Sequence, residues 1–259
     1  MRVVVCAKLI PDPSAPPSLD SSFNLDRSGN LVVDDADTYG VEMALQLAEQ
    51  EAGGEVIVVT MSPADDVASI RGALAMGATR AVAISGEALR GSDALSTAKV
   101  LASVIGPLSP DVVVCATESS DGYTGTVPVQ VAEILGLPSV TFAKSVRVEG
   151  QNLRIERQTE EGHDEVELST PCVVTVTAGV NVPRYASFKG IMAAKSKTVE
   201  VIEPRTVIDE ELIGRSGARQ EVIGVDTAPS RSSGEILTDD GEGSSVADIV
   251  QFLESAKVI

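Results

Sequence analysis

Four short, almost uninterrupted apolar runs recur through the first half of the chain: Arg2–Ala7, Val56–Thr60, Ala81–Ile84 and Val112–Ala116. Runs of this kind suit strands buried on both faces, as in a parallel sheet. Helical stripes lie between them. Val41, Ala44, Leu45 and Ala48 share one face, and Val67, Ile70 and Leu74 share another that Gly77 can close. Leu95, Ala98, Ala102 and Ile105 make a third, with Gly106 and Pro107 as its stop, and Val127, Val131, Ile134 and Leu135 a fourth, stopped by Gly136 and Pro138. Strand and helix in alternation predict an α/β fold, an open, mostly parallel sheet flanked by helices. Ligands in such sheets sit beyond the carboxyl ends of the strands.

After Pro138 the texture changes. Val140–Val148 and Asn152–Gln158 flank Glu149-Gly150, a hairpin signal. Asp164–Leu168 and Cys172–Ala178 add further strand-like runs, and the group is expected as antiparallel decoration on the main sheet. From Glu203 the pattern fades. Pro229–Ser245 is rich in Gly, Ser and acid, and Val246, Ile249, Val250 and Leu253 form a last short stripe. A flexible tail whose helix folds back and an arm that wraps a partner both fit this composition. The expected division is an α/β domain over residues 1–202 and a C-terminal extension or arm over 203–259.

Composition narrows the function classes. Apolar residues make up 43% of the 259 but aromatics only 3%, so the core must be built from Ala, Val, Leu and Ile. Asp plus Glu number 38 against 20 Lys plus Arg, a formal net charge of −18. A field of that sign repels phosphate backbones and anionic lipid, which argues against nucleic acid or a membrane surface as partner. The N-terminus lacks signal-peptide grammar and no run is long enough to span a bilayer, so a cytoplasmic location is expected. Cys6, Cys115 and Cys172 are far apart in strand-like runs, and they read as packing thiols rather than a metal or redox set. The single histidine, His163, stands in the polar turn EEGHDE and reads as a solvated surface residue. Walker, GxGxxG, GxSxG and HExxH patterns are all missing, so no catalytic residue is assigned.

Two segments stand out. The run Val112–Ala116 is followed by TESSDGYTGTVP and then a helical stripe. Gly122 and Gly125 permit tight or left-handed backbone, Thr124 or Thr126 can cap the helix, and Pro128 suits its first turn. Such a turn offers backbone N–H groups and a helix dipole to an anion such as phosphate. It also reads as an ordinary, well-capped strand-to-helix connection. Asp121 and Glu118 would repel phosphate and are expected on ligand hydroxyls or in solvent. The second segment is Asn181–Lys197, which contains Arg184, Lys189, Lys195 and Lys197 and no acid. Tyr185, Phe188, Ile191 and Met192 accompany the charge. This is either a partner-docking loop, with Phe188 as exposed anchor, or a basic turn into a helix whose Ile191 and Met192 are core.

The segment PRYASFKGIMAAKSK resembles the recognition loop of electron-transfer flavoprotein beta subunits. RVVVCAKLIPDP, RGALAMGATRAVAIS, DGYTGTVPVQVAEILGLP and RIERQTEEG followed by TPCVVTV resemble further elements of that family in the same order. The resemblance covers about residues 1–202 and returns at QFLESAKVI. It implies a Rossmann-like nucleotide-binding domain in an alpha–beta heterodimer, an electron carrier rather than an enzyme. In that heterodimer one FAD is held mainly by the alpha subunit and AMP is bound structurally by the beta subunit. Electrons would arrive from acyl-CoA and related dehydrogenases, as in fatty acid oxidation, and leave toward a quinone oxidoreductase. The resemblance assigns AMP to Cys6, Asp34, Asp37, Met61, Asp121, Gly122, Thr124, Gly125 and Thr126. It assigns partner docking to Arg184, Tyr185, Phe188, Lys189, Ile191 and Met192. Gln158, Asp164 and Asp34 depart from the family's usual residues. Two alternatives stand beside this reading: an electron-bifurcating subunit with a second FAD in place of AMP, and a stand-alone adenine-nucleotide-binding regulatory protein.

Overall fold

The computed structural model describes residues 1–50, 53–62, 68–226, 234, 236–238, 241 and 243–259. Residues Met1–Ile223 form one compact unit and Gly224–Ile259 a second. The strands of the first unit are β1 (Arg2–Cys6), β2 (Leu9–Pro11), β3 (Leu31–Val33), β4 (Glu55–Ser62), β5 (Arg80–Ser85), β6 (Val112–Ala116), β7 (Ser139–Glu149), β8 (Asn152–Gln158), β9 (His163–Ser169), β10 (Cys172–Val176) and β11 (Val199–Ile202). Its helices are α1 (Asp35–Glu49), α2 (Arg71–Met76), α3 (Ala94–Leu108), α4 (Val127–Leu135), α5 (Phe188–Ala194) and α6 (Gly214–Gly217). The second unit contributes α7 (Ser244–Ser255).

The main sheet has nine strands in the order β11-β5-β4-β1-β6-β10-β7-β8-β9. The apolar runs sit at its centre, as expected of doubly covered strands. Val3 and Val5 pack with Val41, Ala44 and Leu45 of α1, while Val4 packs with Ala98, Leu101 and Val131 on the α3–α4 side. Each fully buried Val contributes roughly 1.5–3 kcal/mol relative to an exposed one, so the two faces of β1 hold both helical layers to the sheet.

Several expectations are corrected. Cys172–Val176 is not antiparallel decoration: β10 inserts between β6 and β7 and runs parallel to both. Within the main sheet the antiparallel pairings are β7–β8 and β8–β9, so β8 is the strand that runs against the others. Gly106 and Pro107 do not stop α3, which continues to Leu108 and is capped by Ser109 in the left-handed region. The Arg2 guanidinium takes the Leu108 carbonyl at 2.8 Å, which secures the last turn. His163 is the first residue of β9 rather than a turn residue. The pattern does not end at Glu203 either: Pro204 and Ile213 are buried. Val67 lies outside the described residues, as does much of Pro229–Ser245. Gly77 and Gly136 close α2 and α4, as the sequence predicts. Among the described residues no helix is long and apolar enough to cross a membrane.

Candidate nucleotide cleft and docking segment

A cleft of about 1450 Å³ opens at the carboxyl ends of the central strands. Its floor includes Cys6, Val59, Met61 and Cys115, and the loop after β6 supplies Glu118, Ser119, Gly122, Thr124 and Gly125. The sequence-assigned residues Cys6, Asp37, Met61, Gly122, Thr124 and Gly125 therefore meet in one cavity. Asp34, Asp121 and Thr126 do not line it.

Asp34 is buried behind the wall as the N-cap of α1. It accepts from the Ala36 N–H at 3.1 Å and from the Ser120 N–H at 2.7 Å, tying the helix to the loop after β6. The Asp121 carboxylate is taken up by two cations, Lys8 Nζ and Arg27 Nη2, each at 2.5 Å. Burial alone would raise its pKa, but the two cations outweigh it and hold the group below the usual carboxylate range. The expectation of Asp121 on ligand hydroxyls or in solvent is thus corrected. Asp37 accepts from the Lys8 N–H at 2.6 Å, and burial, with Asp34 nearby, pushes its carboxyl up to about 7. Cys6 and Cys115, which follow the register pair Val5–Val114 on β1 and β6, are in side-chain contact. Contact with Cys6, then burial, holds the Cys115 thiol well above its usual range, and burial pushes Cys172 up to about 12.

The loop after β6 offers backbone donors rather than cationic side chains. Tyr123 and Gly125 adopt φ of 49° and 62°. Thr126 is at the N-cap, but its hydroxyl caps nothing, contrary to expectation. Among the described residues the N–H groups of Thr124, Gly125, Thr126 and Val127 find no acceptor in the protein. These are four consecutive donors without an acceptor at the start of a nine-residue helix, where backbone N–H groups and the helix dipole favour an anion.

The sequence reading missed three parts of the wall. Ser21–Leu25 and Arg27 come from the long β2–β3 connection, Leu89–Ala94 from the β5–α3 connection, and Arg215 with Ala218–Val222 from the segment after β11. None carries a local pattern. The pairing of Arg27 with Asp121, 94 positions away, appears only when the fold closes. Arg215 and Arg219 also line the cleft, and neither guanidinium pairs with an acid among the described residues.

The second sequence-assigned region is a separate surface. Tyr185 is 98% exposed, Phe188 81%, Met192 49% and Ile191 46%, so Ile191 and Met192 are not core. Ser187 caps α5 by accepting from the Gly190 N–H at 3.0 Å. The charge is less free than composition implied. Arg184 lies against Glu42 and Glu49 of α1, and Lys197 Nζ donates to the Leu74 and Ala78 carbonyls at the end of α2. Lys189 and Lys195 have no acidic partner among the described residues.

A sequence profile described as "Electron transfer flavoprotein domain" matches residues 22–207. Electron transfer flavoprotein subunit beta of Mycobacterium tuberculosis is 38% identical over the whole of this chain and 99% of its own. The chain belongs to the electron transfer flavoprotein family, among its beta subunits. The beta subunit of Thermoanaerobacterium thermosaccharolyticum is 33% identical over the full length of both chains. The caffeyl-CoA reductase–Etf complex subunit CarD of Acetobacterium woodii is 29% identical, again over both full lengths. A beta subunit of this family has an alpha-subunit partner.

Proposed function

We propose that the chain is the beta subunit of a heterodimeric electron carrier that takes electrons from acyl-CoA and related dehydrogenases and passes them toward a quinone oxidoreductase. FAD, held mainly by the alpha subunit, supplies the redox chemistry when bound. The cleft of the beta subunit holds AMP in a structural role. The observation that carries this reading is the run of unpaired N–H groups at Thr124–Val127, which fits a phosphate at the start of α4. Met61, Val59 and Cys6 form a floor that suits the flat face of an adenine. Tyr185, Phe188, Ile191 and Met192 dock the donor dehydrogenase, and residues 224–259 pack on the alpha subunit, while 203–223 belong to the first unit. In this reading the subunit positions and docks, and no side chain of it performs a chemical step.

Two tests apply. Heterodimer purified with its alpha subunit is expected to release one AMP and one flavin. A Gly125→Val variant forces a β-branched residue to φ 62°, which costs about 1–2 kcal/mol, so it should lose AMP on gel filtration. Full AMP retention there would move the phosphate elsewhere. The second reading, a second FAD in place of AMP, has its own support. The cleft exceeds the roughly 300–1,000 Å³ of ordinary ligand pockets, and Arg215 with Arg219 adds cations to its wall for a longer phosphate-bearing ligand. Two flavins per heterodimer would establish it.

A further inference from the structure

The exposed side chains of the docking segment are carried on a frame bolted at both ends. At the carboxyl end, Arg71 Nη1 donates to the Ala194 carbonyl at 2.6 Å, and Lys197 Nζ donates to the Leu74 and Ala78 carbonyls at 3.0 and 2.6 Å. At the amino end, Asn181 Nδ2 donates to the Tyr39 carbonyl at 3.1 Å. Three residues on, Arg184 makes the most extensive side-chain network in this segment. Its Nε donates to Glu42 Oε2 at 2.7 Å and its Nη2 to Glu42 Oε1 at 3.0 Å. Its Nη1 and Nη2 donate to Glu49 at 2.6 and 3.2 Å, and its own backbone N–H donates to Glu42 Oε2 at 3.1 Å. Glu42 is one of only three buried acidic residues among the described residues, all on or capping α1, and Gln46 Nε2 also donates to it at 2.9 Å. Two forked carboxylates and a backbone bond fix the backbone at the residue immediately before Tyr185.

We propose that Glu42 and Glu49 are positioning residues for partner docking, acting through Arg184 to hold Tyr185 and Phe188 in the orientation a donor flavoprotein meets. The inference rests on the docking reading of this segment. A buried carboxylate spent on a surface arginine is more than stability needs, because an apolar pair there would serve as well. What the pair adds is geometry. A planar guanidinium held by two carboxylates leaves the following residues little freedom, so association need not order them. In this proposal the glutamates act through Arg184 rather than by contacting the partner themselves. Glu42→Gln keeps size and turns one acceptor oxygen into a donor facing the donors of Arg184.

The experiment uses the alpha–beta heterodimer with its flavin, reduced by an acyl-CoA dehydrogenase and its acyl-CoA substrate. Loss of pre-ordering should raise the KM for the heterodimer about tenfold in Glu42→Gln, and less in Glu49→Gln. The turnover number, flavin content and rate of reduction by dithionite should match wild type. Amide exchange should quicken over residues 182–188. If Phe188→Ala raises KM while Glu42→Gln does not, the clamp is overturned and the docking reading stands. Unchanged KM in both variants overturns the clamp and the docking reading together. A fall in turnover at constant KM also overturns it, because a positioning role acts on encounter. Should Glu42→Gln not fold, Glu49→Gln and Arg184→Lys replace it, and wild-type KM in both is the overturning result.

Discussion

Asp37, which lines the cleft, and Asp121, which lies beside it on the loop after β6, respond to pH in opposite directions. Asp37 binds its proton more tightly folded than unfolded, since burial carries it to about 7. Its contribution to stability is therefore full below the unfolded carboxylate pKa and is lost as pH rises toward that folded value. Asp121 is held low by Lys8 and Arg27, so its contribution is present above the unfolded pKa and lost in acid. Between about pH 5 and pH 8 only the first titrates, and wild-type stability should decline across that interval. Asp37→Asn keeps an acceptor for the Lys8 N–H and removes the proton. Urea midpoints measured at both ends of the interval should converge in that variant, and an unchanged slope would place the titration elsewhere. These roles were only half legible beforehand. The family resemblance marked Asp34, Asp37 and Asp121 for the site, yet their partners are Ser120, Lys8 and Arg27, two of which lie 86 and 94 positions away. No local pattern encodes such pairings.

Among elements, α5 shows how a short helix is placed by backbone rather than by an apolar stripe. Its seven residues bury little beyond Ala194, and it approaches α2 so closely that a Cβ added at Gly190 would run into the Ala75 carbonyl oxygen. Gly190→Ala should push α5 outward and lower thermal stability by about 1–3 kcal/mol. It should also weaken donor docking in the same assay that reads Phe188→Ala, and a variant as stable as wild type would contradict this packing. The same geometry decides between the two readings of Ile191 and Met192: their periodicity is helical, but they are exposed, with no core face of the described residues packed over them. Strands were more readable than helix ends. Val112–Ala116 is bounded as its apolar run implies, because both of its faces are covered. The hairpin β2–β3 was missed because its strands are three residues each and a long, Pro-rich connection parts them. The position of β10 was missed because apolar runs do not declare which neighbours they join.

For the whole molecule, the buried core lies within Met1–Ile223, and α7 buries none of its residues. Val246, Ile249, Val250 and Phe252 are exposed on that helix. Deleting residues 224–259 should therefore shift the unfolding midpoint of the beta subunit by no more than about 2 °C, while reducing the alpha subunit recovered with a tagged beta chain. A large loss of stability with undiminished alpha recovery would reverse that assignment of the arm.

The sheet order also sets a schedule for synthesis. β1 leaves the ribosome first, yet its neighbours β4 and β6 are completed only at Ser62 and Ala116, and β7 cannot join β6 until β10 has emerged to lie between them. The β7–β8–β9 meander can form locally, with its edge toward β6 still open, until Val176 is available. Such non-local closure is slow, and an unpaired strand edge invites association with other chains. A nascent chain halted before Val176 should therefore engage chaperones strongly, and one halted well past it should not.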